Sequence, residues 1–303
     1  MEPISIGKKK VKIKDSKRVR KQKRNSAIFL TPSVVGVALF FVIPFIVVVY
    51  YSMMDNPISL NFVFLDNFRN VLRNNAFKKA VRNTFTFSAI AVPSAVVFSL
   101  LLAVLLDSKI PFKSQFRTFF LSPMMVPVAS VVLIWQVLFH YNGVVNEITA
   151  LFGIEKIDWL KSEYSHVVIV ALFLWKNLGY NMILFMAALS SIPKDVIEVA
   201  RLESANRLQI FFYIKTRYLS ATILFVTIMS LINSFKVFRE IYLLTTDYPF
   251  DSIYMLQHFM NNTFKNLDYQ KLSSAAVLMS IAMVIIIGVL FIVENHFGKD
   301  VEG

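Results

Sequence analysis

Polar and aromatic side chains that could bind a small solute occur inside stretches that are otherwise apolar. They are Trp135, Gln136, Trp175, Lys176, Asn177, Tyr180, Asn181, Asn233, Ser234, Lys236 and Arg239. Aromatic rings beside amides suit a sugar, because its C–H face stacks on a ring while its hydroxyl groups form hydrogen bonds. Polar side chains within a membrane are costly and usually face a cavity or a neighbouring helix. The alternative for each residue is a structural role, in an interfacial belt or between packed helices.

Lys236 and Arg239 lie one helical turn apart and carry the strongest charge signal in this set. If they face a cavity, they favour an anionic solute such as a uronic acid or a phosphorylated sugar. If they lie near the outer end of their stretch, they extend towards the membrane surface instead.

Other kinds of chemistry have little support in the sequence. The chain has no cysteine, which excludes disulfides, thiolate metal sites and cysteine nucleophiles. Its four histidines, His140, His166, His258 and His296, include no pair at metal-ligand spacing. There is no cluster of carboxylates or histidines for catalysis, and no G-x-x-x-x-G-K-[ST] motif for a nucleotide. We therefore expect a chain that is not an enzyme and that binds no metal or cofactor.

A charged stretch over residues 191–219 separates two apolar stretches. Ser191 can cap a helix that has Pro193 near its start, and apolar residues recur at spacings of three and four from Lys194 to Ala205. Asn206 is a plausible break, after which a second amphipathic helix is predicted. Such a pair could lie on the lipid surface, or it could dock in a groove of a cytoplasmic partner. The small residues Ala200, Ser204 and Ala205 favour docking.

The elements that position these residues are predicted to be membrane-spanning helices. The chain has 303 residues, of which 56% are hydrophobic and 17% charged, and its mean hydropathy is +0.59. A span needs about 20 apolar residues to cross about 30 Å of hydrocarbon, and spans in lipid must be helices or closed barrels. The six predicted spans are 28–53, 82–106, 116–139, 166–190, 220–244 and 272–294. Pro32, Pro44, Pro93, Pro123 and Pro127 suggest kinks or span starts.

Loop charge predicts that both termini are cytoplasmic. With the N-terminus inside, the cytoplasmic segments contain 20 Lys and Arg residues and the outer segments contain 9. Residues 1–27 then form a basic, disordered cytoplasmic tail near anionic lipid, and a nucleic-acid-binding arm is the less favoured alternative. The predicted organisation is this tail, a membrane domain over 28–294 with a cytoplasmic loop at 191–219, and a short cytoplasmic tail at 295–303.

The charged stretch resembles the EAA loop of ABC-importer permeases. The matching positions are Glu198, Val199, Ala200, Glu203, Ser204, Ala205, Phe211 and Ile214. The sequence departs from the usual pattern at Val199, Glu203 and Ser204, and at Thr216 and Arg217. Ser204 replaces the usual glycine, which is expected to weaken the turn between the two helices.

The resemblance extends over about residues 28–290. "FRTFFLSPMMVP", "LWKNLGYNMILFMAALSSIPKDVIEVA" and "INSFKVFREIYLLT" follow one another in the order of the carbohydrate subfamily. The N-terminal layout is similar to the first permease of maltose-, glycerol-phosphate- and oligosaccharide-type importers. An altered outer loop, Thr246-Asp247-Tyr248-Pro249, replaces the usual Gly-Gly-Pro.

This resemblance implies an all-α, type I ABC-importer transmembrane domain in a bacterial cell membrane. Its members form half of a pore with a second, homologous permease, usually a different chain. Their EAA loop docks on one of two ATPase subunits, which bind ATP and Mg²⁺, and an extracytoplasmic binding protein delivers the solute. A carbohydrate is the expected solute, and a glycerol phosphate or a peptide-like solute is the alternative. A secondary transporter is less favoured, because it would normally have buried acids and Glu240 is the only one well inside a span.

Overall fold

The structure, a computed structural model, describes residues 17–56, 58–59, 61–108 and 111–298. Within these ranges the chain is helical, and its only β-type pairing is an isolated antiparallel bridge between Met54 and Phe62. The α-helices are α1 Lys17–Val37, α2 Ile43–Ser52, α3 Asp66–Arg73, α4 Asn75–Asp107, α5 Lys113–Met125, α6 Val128–Leu138, α7 Val144–Ala150, α8 Ser165–Ser190, α9 Lys194–Leu202, α10 Arg207–Gln209, α11 Thr216–Tyr218, α12 Ser220–Phe235, α13 Phe238–Thr245, α14 Leu256–Lys265 and α15 Tyr269–Gly298. Two π-helical segments, Ala38–Val42 and Ile210–Lys215, and a 3₁₀ turn, Asp251–Ile253, complete them.

Five helical segments in the described ranges are long and apolar enough to cross a membrane. They are Arg24–Ser52, Asn75–Asp107, Ser165–Ser190, Ser220–Thr245 and Tyr269–Asn295. Each overlaps a predicted span. The second begins earlier than predicted because Asn74 caps it, its side-chain oxygen accepting a hydrogen bond from the Phe77 N–H.

The span predicted over 116–139 is broken into two helices, and α5 and α6 meet at an angle of 102°. Val126 between them is extended, with φ −86° and ψ 131°. Pro127 accounts for the break, since it has no N–H to donate and pushes the residue before it out of the helical conformation. Its carbonyl then accepts the first hydrogen bonds of α6, from the N–H groups of Ser130 and Val131.

The basic N-terminal segment differs from the prediction where the structure describes it. Residues 17–27, expected to be disordered, belong to α1. Lys, Arg and Gln are good helix formers, and the segment continues directly into an apolar helix that propagates it. Residues 1–16 and 299–303, the rest of the two predicted tails, lie outside the described residues.

The core lies between α4 and α8, which pack along their lengths. Towards one end it contains Phe87, Ile169 and Ile241, and towards the other Leu106 and Phe185. By contrast, α1 and the π-helical segment that follows it are on the outside: their apolar side chains, such as Phe29, Phe40 and Phe41, are exposed within this single chain. A lipid or protein surface must therefore cover α1 in the membrane.

A glycine allows α8 to approach α5 very closely. A Cβ atom placed on Gly179 would lie 1.8 Å from the backbone oxygen of Phe120. No side chain fits in that space, so the position of α5 against α8 depends on this glycine. The contact matters for function because α5 and α8 both border the cavity described below.

Candidate functional site

A cavity of about 710 Å³ lies between α8, α12 and α13, with the α5–α6 junction as a further wall. Its polar lining residues are Lys176, Asn177, Tyr180, Asn233, Lys236, Arg239, Glu240 and Gln257. Pro123, Met124, Val126 and Val128 supply apolar surface from the bent junction. The size and the mixture of apolar walls with a few polar groups are typical of small-molecule sites.

The local backbone explains why these side chains meet. Asn177 and Tyr180 are three residues apart on α8 and so face the same side. The chain leaves α12 at Phe235 and turns through Lys236 and Val237 before α13 begins. This interruption directs side chains from both helices towards α8.

An ion pair and an amide pair connect the walls of the cavity. Lys176 Nζ on α8 contacts Glu240 Oε1 on α13, and the Glu240 side chain is buried. Asn233 Nδ2 donates to Asn177 Oδ1 at 2.9 Å, while Asn177 Nδ2 donates to the Phe173 carbonyl at 2.8 Å. The cavity wall is thus held by polar contacts between helices that are distant in sequence.

Lys236 and Arg239 have a different environment. Both line the cavity and are accessible to solvent. Neither side chain has a hydrogen-bond or ion-pair partner among the residues that the structure describes. Because Lys176 and Glu240 offset each other, these two residues give the cavity lining a formal charge of +2. The sequence left two positions open for this pair, a cavity or the outer end of the apolar stretch. The structure places both residues at a cavity.

Five of the predicted solute residues do not line the cavity. Asn181 is buried and donates to Ser230 Oγ at 2.9 Å, joining α8 to α12. Gln136 donates to the Leu244 carbonyl at 3.2 Å. Trp135 stacks on Phe139 with ring centroids 5.1 Å apart, and the ring of Trp175 is 6.2 Å away. Ser234 similarly pairs with Ser88, at 2.8 Å between hydroxyl oxygens.

One polar lining residue and the ion pair lie outside what the sequence predicts. Gln257 belongs to α14, outside the apolar stretches, so a search for polar residues within spans could not find it. Lys176 and Glu240 both lie within predicted spans, but nothing in the sequence indicates that they meet. The signal in the sequence for this contact is the presence of opposite charges in two different predicted spans.

The segment that resembles an EAA loop forms a helical hairpin of residues 194–218. α9 ends in a Schellman motif: the N–H of Ala205 donates to the Ala200 carbonyl, and that of Ser204 to the Arg201 carbonyl, each at 3.0 Å. Ser204 adopts the left-handed conformation at the turn, with φ 64°. Asn206 and Gln209 then form a capping box that begins the second arm. The predicted break is therefore present and spans residues 203–206.

The two faces of the hairpin have different surroundings. Ala200 and Ile210 are buried, and Ile197 packs against the cluster that contains Leu189 and Leu219. The exposed apolar side chains are Val199, Leu202, Leu208, Phe212 and Tyr213. Val199 and Leu202 belong to the apolar residues that recur from Lys194 to Ala205, but they point away from the body of the chain. Glu198 and Glu203 are exposed as well, Ala205 and Phe211 partly buried.

The hairpin is attached to the end of α4 by an ion pair. Lys215 Nζ lies 3.4 Å from Asp107 Oδ2, and the Lys215 side chain is largely covered. Because α4 packs along α8, this ion pair connects the hairpin indirectly to the helix that carries Asn177 and Tyr180.

The described residues contain no group of three or more His, Asp or Glu that could hold a metal ion. His258 is buried against Phe238 and Tyr254, and its Nδ1 accepts a hydrogen bond from the Met255 N–H at 3.1 Å. Burial lowers its pKa to about 4, so it is neutral at physiological pH. These contacts describe a packed histidine.

Comparisons with known proteins show what the chain is similar to. Residues 95–303 match the family described as "Binding-protein-dependent transport system inner membrane component". The arabinooligosaccharides transport system permease protein AraP of Halalkalibacterium halodurans is 32% identical, over 73% of this chain and 74% of that protein. The lactose transport system permease protein LacF of Rhizobium radiobacter is 27% identical, over 91% of this chain and 94% of that protein.

The fold is also similar to that of a solved structure. A chain from a bacterial ABC transporter involved in the import of the acidic polysaccharide alginate superposes with a TM-score of 0.78, covering 95% of this chain and 100% of that chain. The sequence identity is 19%, so this likeness shows the shared fold alone.

Proposed function

Because the chain belongs to the family of binding-protein-dependent transport system inner membrane components, we propose that it is a permease subunit of an ATP-driven carbohydrate importer. Relatives named for arabinooligosaccharides, lactose and multiple sugars support the solute class. The cavity supports it as well, since the paired amides of Asn177 and Asn233 and the ring of Tyr180 offer the groups that a sugar needs.

In this proposal the chain forms half of a translocation pathway in a bacterial cell membrane. A second, homologous permease completes the pathway, and the exposed apolar side chains of α1 leave room for such a partner or for lipid. An extracytoplasmic binding protein delivers the solute. Two ATPase subunits bind ATP and Mg²⁺ on the cytoplasmic side, where the hairpin of residues 194–218 and both termini lie.

The hairpin is the docking element for one ATPase subunit. The observation that carries this assignment is its row of exposed apolar side chains, among them Val199, Leu202 and Phe212, on a frame fixed by a Schellman motif and a capping box. A short amphipathic helix with such a face fits a groove on a partner. Closure of the two ATPase subunits would move the docked hairpins, and the packed helices would convert that motion into alternating access.

Glu240 argues against a secondary transporter. Coupling to protons or sodium commonly uses acidic side chains within the membrane-spanning helices. Glu240 is buried, but it is held in an ion pair with Lys176. The carboxylate therefore has a structural partner within the chain.

The test is a charge reversal on the hairpin. The chain is co-expressed with its second permease and ATPase subunits, and Glu198→Arg is expected to reduce both the ATPase that co-purifies and the solute-stimulated ATP turnover, by roughly tenfold or more. In this proposal the Glu198 carboxylate faces the partner's groove. The substitution places a positive charge opposite the same groups of the partner. Glu163→Arg, the same change at an exposed glutamate outside the hairpin, is the control and should retain normal ATPase co-purification.

Retention of the ATPase by the Glu198→Arg complex would contradict the docking role. If the chain instead purified alone and its transport of solute were driven by an ion gradient, the assignment as an ATP-driven importer would fail.

A further inference from the structure

The cavity contains more positive charge than its own contacts require. Lys176 is neutralised by Glu240, whereas Lys236 and Arg239 have no partner among the described residues. Both lie within the apolar segment Ser220–Thr245, where an unpaired cation is costly. Two solvent-accessible cations at one cavity are available to an anion that enters it.

The arrangement of the two cations fits one negatively charged group. They are three residues apart at the junction of α12 and α13, and the Arg239 N–H donates to the Lys236 carbonyl at 3.3 Å, which keeps them on one turn. Arginine offers a planar fork of donors that suits a carboxylate or phosphate, and lysine adds a mobile point charge. The amides of Asn177 and Asn233 and the ring of Tyr180 line the same space.

We propose that this cavity selects a saccharide that carries an anionic group, a carboxylate or a phosphate, and that Lys236 and Arg239 bind that group. The proposal rests on the proposed function, because it assumes that the cavity belongs to the translocation pathway. It deepens that function by separating this chain's solute from the neutral sugars. The amide pair and Tyr180 then contact the uncharged part of the saccharide.

The experiment measures binding to the purified complex of both permeases and the ATPase subunits, without the binding protein. Omitting the binding protein removes its own selectivity. Equilibrium dialysis is carried out with three radiolabelled probes: digalacturonate, a galactose phosphate and neutral galactobiose. The two anionic probes distinguish a carboxylate from a phosphate. We expect at least one of them to bind roughly tenfold more tightly than galactobiose, as charge-assisted contacts imply.

Variants then assign the selectivity to the two cations. Lys236→Gln combined with Arg239→Gln should remove roughly the whole preference for the anionic probe and leave galactobiose binding within about twofold. Arg239→Lys, which keeps the charge, should retain part of the preference. Lys161→Gln removes an exposed lysine outside the cavity and should change nothing.

Three results would overturn the proposal. Equal binding of galactobiose and both anions would show that charge is not selected, while leaving the importer assignment intact. Loss of the second permease from the double variant on gel filtration would show that the two cations pair with that subunit instead. Failure of all three probes to bind would also end the proposal, and the Glu198→Arg docking test would still judge the importer assignment independently.

Discussion

Ser204 shows how a single residue sets the geometry of the docking hairpin. Its φ of 64° is a conformation that costs a non-glycine residue about 1–2 kcal/mol. The turn forms nevertheless, because two Schellman hydrogen bonds before it and a capping box after it define the backbone on both sides. A serine in place of the usual glycine is expected to weaken this turn, and the structure shows that the turn keeps its shape with the serine in the left-handed conformation.

Ser204→Gly should therefore stabilise the hairpin by about 0.5–1 kcal/mol, the strain relieved less the extra entropy of an unfolded glycine. Hydrogen exchange of the Ala205 amide, which donates to the Ala200 carbonyl, should slow by roughly two- to fivefold. Ser191→Gly is the control, because φ is −84° there and glycine relieves nothing. Unchanged or faster exchange at Ala205 in Ser204→Gly would show that the left-handed turn carries no strain.

Two asparagines on α8 show how far sequence reasoning reaches at this scale. Asn177 and Asn181 are one turn apart in an apolar helix, and both were predicted to meet solute. In the structure Asn177 lines the cavity, whereas Asn181 is buried against Ser230. Residue type and spacing identify polar residues within a span, but the rotation of the neighbouring helix decides which of them faces open space.

The prolines of the chain show the same limit of prediction for whole helices. Pro32, Pro93 and Pro123 lie within helices, but the chain breaks at Pro127. All of them were predicted as kinks or span starts, since a proline can do either in a membrane. The six apolar segments could be predicted because length and hydropathy determine a span. The 102° bend could not, because it depends on how α5 and α6 pack onto α8 and α13.

The packing of α5 on α8 can be tested at Gly179. Gly179→Ala should destabilise the complex by about 3 kcal/mol or more, because the new methyl group would overlap the Phe120 backbone and α5 would have to move away. Thermal unfolding of the purified complex measures the loss, and solute binding should weaken with it, since α5 forms a wall of the cavity.

Gly288→Ala in α15 is the matched control for this change. A Cβ atom there would meet no other atom within 4 Å, so the substitution should be neutral or slightly stabilising. Equal unfolding temperatures for the two variants would contradict the close approach of α5 and α8.

An ion pair connects two helices that are distant in sequence and that both border the cavity. Lys176 on α8 and Glu240 on α13 are 64 residues apart and meet at the cavity wall. Their burial is unequal: the exposed fraction of the side chain is 26% for Lys176 and 8% for Glu240. Removing either partner leaves the other charge without compensation, and the cost is larger when the charge that remains is the more buried one.

A double-mutant cycle tests this pair as a structural connection. Lys176→Met should destabilise the complex by about 3 kcal/mol because it leaves a buried carboxylate unpaired, and Glu240→Gln should cost less because water can reach Lys176. The double variant should recover much of the loss, giving a coupling free energy of about 1–3 kcal/mol. The exposed pair Lys156–Glu147, taken through the same cycle, should show a coupling below about 1 kcal/mol. If both pairs gave equally small couplings, the ion pair at the cavity would not connect α8 to α13, and the walls of the cavity would depend on apolar packing alone.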